Sequence, residues 1–396
     1  MNILWITLES ILPANSGGRL GVFKRLEQVA KTENIFLFYP YDSVSEEQEI
    51  EELKKYCKEV HAYRRGDNKK SAIKEIVKYP FTVGSRHIRA MQQDIQKCLD
   101  TKNIDVINVD FPHMCVDLLG IKTSVPIVLN EHNIEWKVYR TISSSQKHPL
   151  KKLLYWIDSY RLKKYEQRIF SLLPIRMVTF VSDKDMNCMV KEGPITKEKT
   201  VLIPVGADQR TELLEKKHDG YNIMFVGKMS YGPNIEAAEW FADAVFPKIL
   251  EKVPEAKFYI VGKDPDEAVK GLERENIIVT GMVDSVEPYY ASSDLVVLPL
   301  KNGGGVKVKL LEAVSYKKLI VSTYVGVEGT RYADGQTIPV SDQASEFAEL
   351  CLSALAKSDI SCKRTENAYN IFLKYYTWES IGALYLSYLR KIAEDK

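Results

Sequence analysis

The chain has 396 residues, 45% of them hydrophobic and 27% charged, with a mean hydropathy of −0.22. That length exceeds one comfortable core and suits two domains of ordinary size, and the composition excludes a disordered or collagen-like chain. Lys and Arg number 55 against 53 Asp and Glu, a net charge of +2, so no chain-wide field favours nucleic acid and none is expected as a partner.

Six cysteines, at 57, 98, 115, 188, 351 and 362, are scattered without a C-x-x-C pair, which is the usage of a reducing compartment. The opening Met-Asn-Ile-Leu-Trp-Ile-Thr-Leu-Glu has no basic leader and its apolar run stops at Glu9, so a signal peptide is not expected. No uncharged stretch approaches the roughly 18 apolar residues of a spanning helix, so a cytoplasmic protein is expected.

In chain order, β-branched runs predict buried strands over Asn2–Leu8, Ile35–Tyr39, Val106–Val109, Ile127–Asn130, Met177–Val181 and Val201–Ile203. Amphipathic helices are expected between them, as at Arg19–Thr32, Ser85–Asp100 and Leu150–Leu172. Ala207–Tyr221 is polar and charge-dense, as a linker is. The alternation restarts with strands Asn222–Val226, Lys257–Val261, Ile277–Thr280, Leu295–Leu298 and Leu319–Ser322. Helices are expected over Ile235–Val253, Pro265–Glu275 and Val306–Tyr316, then near Thr365–Tyr376. A last helix, Trp378–Ala393, carries Ile381, Leu384, Tyr385, Tyr388 and Leu389 on its apolar face. Two successive strand–helix runs imply two doubly wound α/β domains with parallel sheets. We divide the chain into 1–206, 207–376, and a terminal helix, 377–396, that crosses back onto the first domain.

In open α/β sheets ligands bind beyond the carboxyl ends of the strands, and four such places stand out. After the first strand, Pro13-Ala14-Asn15-Ser16-Gly17-Gly18-Arg19 leads into a helix, and a Gly pair there admits a close ligand or simply makes a tight connection. After Ile127–Asn130 comes Glu131-His132-Asn133-Ile134-Glu135-Trp136, where His132 is either a sugar-facing donor or base, or a buried, satisfied histidine. Asn222–Val226 ends in Gly227-Lys228, with Asn234 able to cap the next helix; Lys228 is either a phosphate partner or a solvated cation. The fourth place is the most specific: Gly303-Gly304-Gly305-Val306-Lys307-Val308-Lys309, with Glu312 about two turns on. Exposed amides, a helix N-terminus and two lysines make an anion cradle, and Glu312 can accept from a ribose.

No fingerprint for a P-loop, a dinucleotide site, a zincin or a nucleophile elbow occurs. Asp264-Pro265-Asp266 reads formally as D-x-D but opens a helix without a supporting His or carboxylate cluster, so no metal and no other cofactor is expected. Residues 147–168 are rich in basic and aromatic side chains, which fits either peripheral contact with an anionic membrane or a solvated basic face.

At these four places the sequence resembles the retaining GT-B glycosyltransferases, specifically family 4. The resemblance is strongest from Asn222 to Gly329. It runs through Phe225-Val226-Gly227, Phe258-Tyr259-Ile260-Val261-Gly262, Val279-Thr280-Gly281-Met282-Val283, Ala291-Ser292-Ser293-Asp294-Leu295, Gly305–Ala313 and Glu328-Gly329. It implies a GT-B fold of two Rossmann-like domains facing across a cleft, with the acceptor on the N-terminal side and a nucleoside diphosphate sugar on the C-terminal side. By the resemblance, Lys228 and Lys307 or Lys309 contact the diphosphate, amides of Gly303, Gly304, Gly305 and Val306 the phosphate or sugar, Glu312 the ribose, and the backbone near Val283 the base. His132 lies beside the sugar, Gly17 and Gly18 beside the diphosphate and acceptor, and Arg19 and Asn133 on the acceptor side.

Two departures stand out. The family's paired carboxylates, E-x7-E, meet Gly304 at the position paired with Glu312, and Asn234 lies where a second basic residue is usual after the Gly-Lys turn. The implied function is metal-independent transfer of a hexose-type sugar to a glycan or lipid-linked acceptor in surface polysaccharide or glycoconjugate synthesis. The protein is then cytoplasmic, with peripheral contact at the inner membrane face through 147–168. A nucleotide-sugar epimerase on the same fold, or a silent acceptor-recognising partner of another transferase, are the alternatives.

Overall fold

The computed structural model describes residues 1–14, 16–42, 48–65, 75, 77–210, 221–303, 305–356 and 358–394. The chain divides into two compact units, Met1–Pro204 with Ile381–Lys396, and Val205–Ser380.

The first unit is built on seven strands: β1 (Asn2–Ile6), β2 (Asn34–Tyr41), β3 (Glu59–Arg64), β4 (Val106–Asp110), β5 (Ile127–Glu131), β6 (Ile175–Phe180) and β7 (Thr200–Leu202). They form one parallel sheet in the order β3-β2-β1-β4-β5-β6-β7, with Ile3 of β1 opposite Ile35 of β2 and Val106 of β4. Helices cover both faces, which is why Ile3–Ile6 is an unbroken, fully buried apolar run and reads so clearly in the sequence. Strand order reverses between β1 and β4, where the carboxyl ends of an open sheet leave a crevice.

Edge strand β3 escapes the sequence reading. Its Glu-Val-His-Ala-Tyr-Arg is half-buried and carries charge at both ends, as an edge requires, so it lacks the run of a central strand.

The second unit has β8 (Asn222–Val226), β9 (Lys257–Val261), β10 (Ile277–Gly281), β11 (Leu295–Leu298) and β12 (Leu319–Ser322), all parallel in the order β10-β9-β8-β11-β12. Its reversal falls between β8 and β11. Aromatic packing of Phe241, Phe246, Phe258 and Phe347 fills one face of this sheet. Of the polar stretch Ala207–Tyr221, residues 211–220 lie outside the described residues, while the Ala207 amide donates to the Tyr376 carbonyl at 3.0 Å.

Two expected helices differ in the structure. The stretch assigned to Ile235–Val253 runs as Gly232–Trp240, a π turn at Phe241–Val245, and Phe246–Leu250. Pro247 has no N–H to donate and its ring crowds the carbonyl four residues back, so the ladder shifts to a Phe246-to-Phe241 bond. Pro265–Glu275 keeps only Glu267–Lys270 as helix; Gly271 ends it, and Arg274 and Ile277 exchange backbone bonds instead.

The last helix, Trp378–Glu394, belongs from Ile381 onward to the first unit. Ile381, Tyr385 and Leu389 are buried, but Leu384 faces solvent, which corrects its place on the apolar face. Gly382 lets the backbones meet: a Cβ there would lie 2.3 Å from that of Gln28 in helix Gly17–Ala30. Arg390 adds an ion pair to the buried Glu33, which also receives the Met1 amine.

Candidate active site

At the crevice of the first unit, four elements converge on Asp110, the last residue of β4. Its Oδ2 accepts from the Trp5 indole of β1 at 2.7 Å, and its Oδ1 from the Arg25 guanidinium at 2.7 Å. Arg25 sits on the buried stripe of helix Gly17–Ala30 beside Val22, Leu26 and Val29, and also reaches the Asn130 side-chain oxygen at 3.2 Å. Asn130, near the end of β5, donates to Asn108 at 2.9 Å and accepts from Thr179 at 2.6 Å. The Tyr385 hydroxyl of the terminal helix donates into this cluster, at the side-chain oxygens of Asn108 and of Asn130. Asp110 is completely buried; burial raises its pKa, but Arg25 and His132 outweigh that and hold the carboxyl below the ordinary range.

His132 follows β5 at the rim of this cluster. Its Nε2 is 3.1 Å from Asp110 Oδ1 and 3.3 Å from Arg25 Nη2, and its ring stacks on Phe111 with centroids 4.3 Å apart. Phe111 is held at a φ of 71°, a strained conformation for a side chain of that size, which turns its ring onto the imidazole. Burial, with the Arg25 charge, lowers the His132 pKa despite its bond to Asp110, so the ring is neutral at neutral pH. Donation from Nε2 to Asp110 fixes the tautomer in which Nδ1 carries the free lone pair. The arrangement therefore presents a held acceptor that can orient a hydroxyl.

Other residues on this side have more local roles. Gly17 and Gly18 open their helix with Ser16 capping the Arg19 amide, and space for a side chain surrounds both glycines. Asn15 lies outside the described residues. The Arg19 guanidinium is taken up by Glu9 at 2.9 Å and the Leu12 carbonyl at 3.4 Å, within its own loop, while Asn133 is exposed. Behind His132, burial and neighbouring carboxyls push Glu131 and Glu166 well above the ordinary range, and burial takes Glu135 up to about 7. Both oxygens of Glu131 lack a hydrogen-bond partner.

In the second unit the loops after β8 and β11 meet. Lys309, on helix Val308–Ser315, puts its ammonium 2.7 Å from Asn234 Oδ1 and 4.5 Å from the Phe225 ring centroid. Gly227 makes room, since a Cβ there would lie 2.7 Å from that ammonium. Burial, aided by the charge of Lys307, brings the Lys309 pKa down to about 7. Asn234 thus holds the Lys309 ammonium through its oxygen while its amide donates to the Lys228 carbonyl at 2.9 Å.

Lys307 folds back on the glycine loop, donating to the carbonyls of Gly303 at 3.2 Å and Gly305 at 2.6 Å. Both glycines have positive φ, 119° and 72°. No acceptor among the described residues takes the amides of Gly303, Gly305 or Val306. Gly304, the position paired with Glu312, lies outside the described residues. Lys228 is exposed at the end of β8.

Glu312 accepts from the Tyr290 hydroxyl at 3.2 Å, Tyr290 stacks on Tyr316, and burial raises the Glu312 pKa. Val283 is half-buried after β10. Asp266 uses its carboxylate to cap the Ala268 amide, and no trio of His, Cys, Asp or Glu among the described residues is placed to hold a metal ion.

The sequence singles out His132, Glu312 and the lysines as candidates and passes over Arg25, Asp110, the side-chain contacts of Asn130 and Asn234, and the buried Tyr385 hydroxyl. Asp110 had a signal, a carboxylate directly after an apolar strand. So had Arg25, a charge on an otherwise apolar helix stripe. Tyr385 had none.

Residues 220–357 match the family model described as Glycosyl transferases group 1. Over 364 residues the chain is 24% identical to an uncharacterized 44.6 kDa protein in the cps region of Klebsiella pneumoniae, covering 88% of this chain and 89% of that one. The fold is similar to that of a glycosyltransferase from Rickettsia africae, with a TM-score of 0.69 at 15% identity over 100% of this chain and 99% of the other. It is also similar to Anabaena HepE in complex with UDP, with a TM-score of 0.65 at 14% identity over 99% and 100%. HepE is also solved with UDP-glucose.

Proposed function

From the premise that this chain is a group 1 glycosyltransferase of the GT-B fold, we propose that it is a retaining, metal-independent hexosyltransferase. Its donor is a nucleoside diphosphate sugar of UDP or GDP type. Its acceptor is a glycan or lipid-linked sugar, in surface polysaccharide or glycoconjugate synthesis on the cytoplasmic side of a membrane. The observation that carries the donor reading is the Lys309–Asn234–Gly227 contact beside the amides of Gly303, Gly305 and Val306. The UDP and UDP-glucose complexes of HepE support a uridine donor, and the relative in the Klebsiella cps region supports the polysaccharide role.

Departure of a nucleoside diphosphate builds negative charge on its β-phosphate while the sugar becomes oxocarbenium-like. Lys309, Lys228, Lys307 and the loop amides supply positive charge there without a metal. Glu312 binds the ribose hydroxyls, and the backbone near Val283 meets the base. Attack from the face of departure lets the leaving diphosphate take the acceptor proton, so no separate base is needed. His132, with Nδ1 free, orients a sugar hydroxyl.

A thermal-shift screen against UDP, GDP, ADP, CMP and their sugar conjugates tests the donor site. A ligand at 100 times its Kd stabilises by about 2.7 kcal/mol, and no shift with any nucleotide removes the donor reading. Once a donor is known, His132→Ala lowers transfer by about 10²-fold or more while the folded state persists; near-normal turnover sinks its role. Conversion of the donor without acceptor identifies an epimerase instead.

A further inference from the structure

The most unusual surface of the first unit is helix Pro149–Leu172. Its inner face buries Leu162, Tyr165 and Ile169, as a domain helix does. Its outer face is apolar where water is expected: Leu150 (59% exposed), Leu153, Leu154 (57%), Ile157 and Tyr160 recur at spacings of three and four, and Trp156 stacks on Tyr160. Val77, 91% exposed, and Phe81 extend the strip, because the Arg161 guanidinium reaches the Val77 and Tyr79 carbonyls and Asp158 accepts from the Phe81 amide.

The exposed charges of the helix itself have one sign. Lys147, Lys151, Lys152, Lys164 and Arg168 are exposed. Between 147 and 172 the only acids are Asp158 and Glu166, and both are buried. A second copy of the chain is a poor occupant, since two-fold pairing sets these cations against themselves. A lipid surface with anionic headgroups fits every part: cations at the headgroups, Trp156 and Tyr160 at the interface, leucines in the acyl region. Among the described residues no helix is long and apolar enough to cross a membrane.

We propose that the outer face of helix Pro149–Leu172, with Val77 and Phe81, is a docking surface for an anionic membrane, lying in its interface. Its use in bringing the enzyme to a lipid-linked acceptor rests on the transfer proposed above; the docking itself does not.

The test is co-sedimentation of the full chain with vesicles of phosphatidylcholine alone or mixed with phosphatidylglycerol, at low and high salt. The expected result is binding to the mixed vesicles, weakened by salt, with quenching of Trp156 fluorescence by brominated lipid that Trp156→Phe removes. Lys151→Glu with Lys152→Glu lowers partitioning by about tenfold or more, and Leu153→Ser with Leu154→Ser lowers it at both salt concentrations. Absence of binding to mixed vesicles at low salt overturns the proposal. So does unchanged binding in both double variants, or a solution dimer that the leucine variant dissociates. Nucleotide-induced thermal shifts on the same samples separate the two readings: a shift without vesicle binding sinks only the docking, and vesicle binding without a shift sinks only the donor site.

Discussion

The two units solve opposite electrostatic problems at the same position, the reversal point of a parallel sheet. In the first, the charges around Asp110 meet one another: Arg25 meets Asp110, Asp110 meets His132 and Trp5, and the asparagines close the rest. In the second, Lys309 rests against the neutral oxygen of Asn234 and an aromatic ring, and Lys307 against loop carbonyls. A saturated cluster fixes geometry, whereas an ammonium held by neutral oxygens can, in the donor reading proposed above, be shared with an anion. In that reading one unit holds a ring still and the other receives an anion.

The largest expected effect separates these roles. Arg25→Ala leaves the Asp110 carboxylate buried without its cation and costs about 3–5 kcal/mol in urea unfolding; a loss under about 1 kcal/mol would show that the pair is not what holds the first site together.

Lys309→Met is expected to leave stability intact, because a buried cation is replaced by an apolar chain of similar length, while nucleoside diphosphate affinity drops by roughly 10- to 100-fold. The same lysine gives a sign for pH. Its free-state pKa near 7 rises when an anion binds, so binding takes up a proton above about pH 7 and affinity falls as pH rises through that value. Calorimetry in buffers of different ionisation enthalpy reads the uptake directly, and Lys309→Met should abolish it.

The smallest effect is at the hydroxyl of Tyr385. Tyr385→Phe removes one donor from a cluster that keeps Arg25, Thr179 and the Asn130 amide, and about 0.5–1.5 kcal/mol is expected from thermal unfolding. A larger loss would mean that this single hydroxyl organises the cluster.

The sheets were legible because doubly covered strands are runs of Val, Ile, Leu and Phe, as at Asn222–Val226 and Leu295–Leu298, where expected and observed bounds coincide. Strand β3 was not, since an edge strand keeps its charges. Nor was the short helix after Asp264, where Gly271 cuts the pattern. His132 and Glu312 stood out as candidates from their places after a strand and on a helix behind glycines. Their partners did not: Tyr385 meets Asn108 across 277 positions of sequence, and nothing local in a terminal amphipathic helix marks which of its tyrosines is buried. The Lys309–Asn234 contact was hidden in the same way, 75 positions apart.

The route of the chain through the first unit also sets an order of events during synthesis. Its sheet is complete once residue 204 has been made, yet the helix that roofs β1 and β4 waits until Val205–Ser380 has emerged. Without that helix the sheet lacks the contacts of Tyr385 with Trp5, Asn108 and Asn130, and helix Gly17–Ala30 lacks the neighbour that Gly382 brings against Gln28. The second unit is contiguous and can fold as it is translated. The half of the protein made first is therefore finished last, and a ribosome that stops early releases an open sheet with His132 over an unfinished floor.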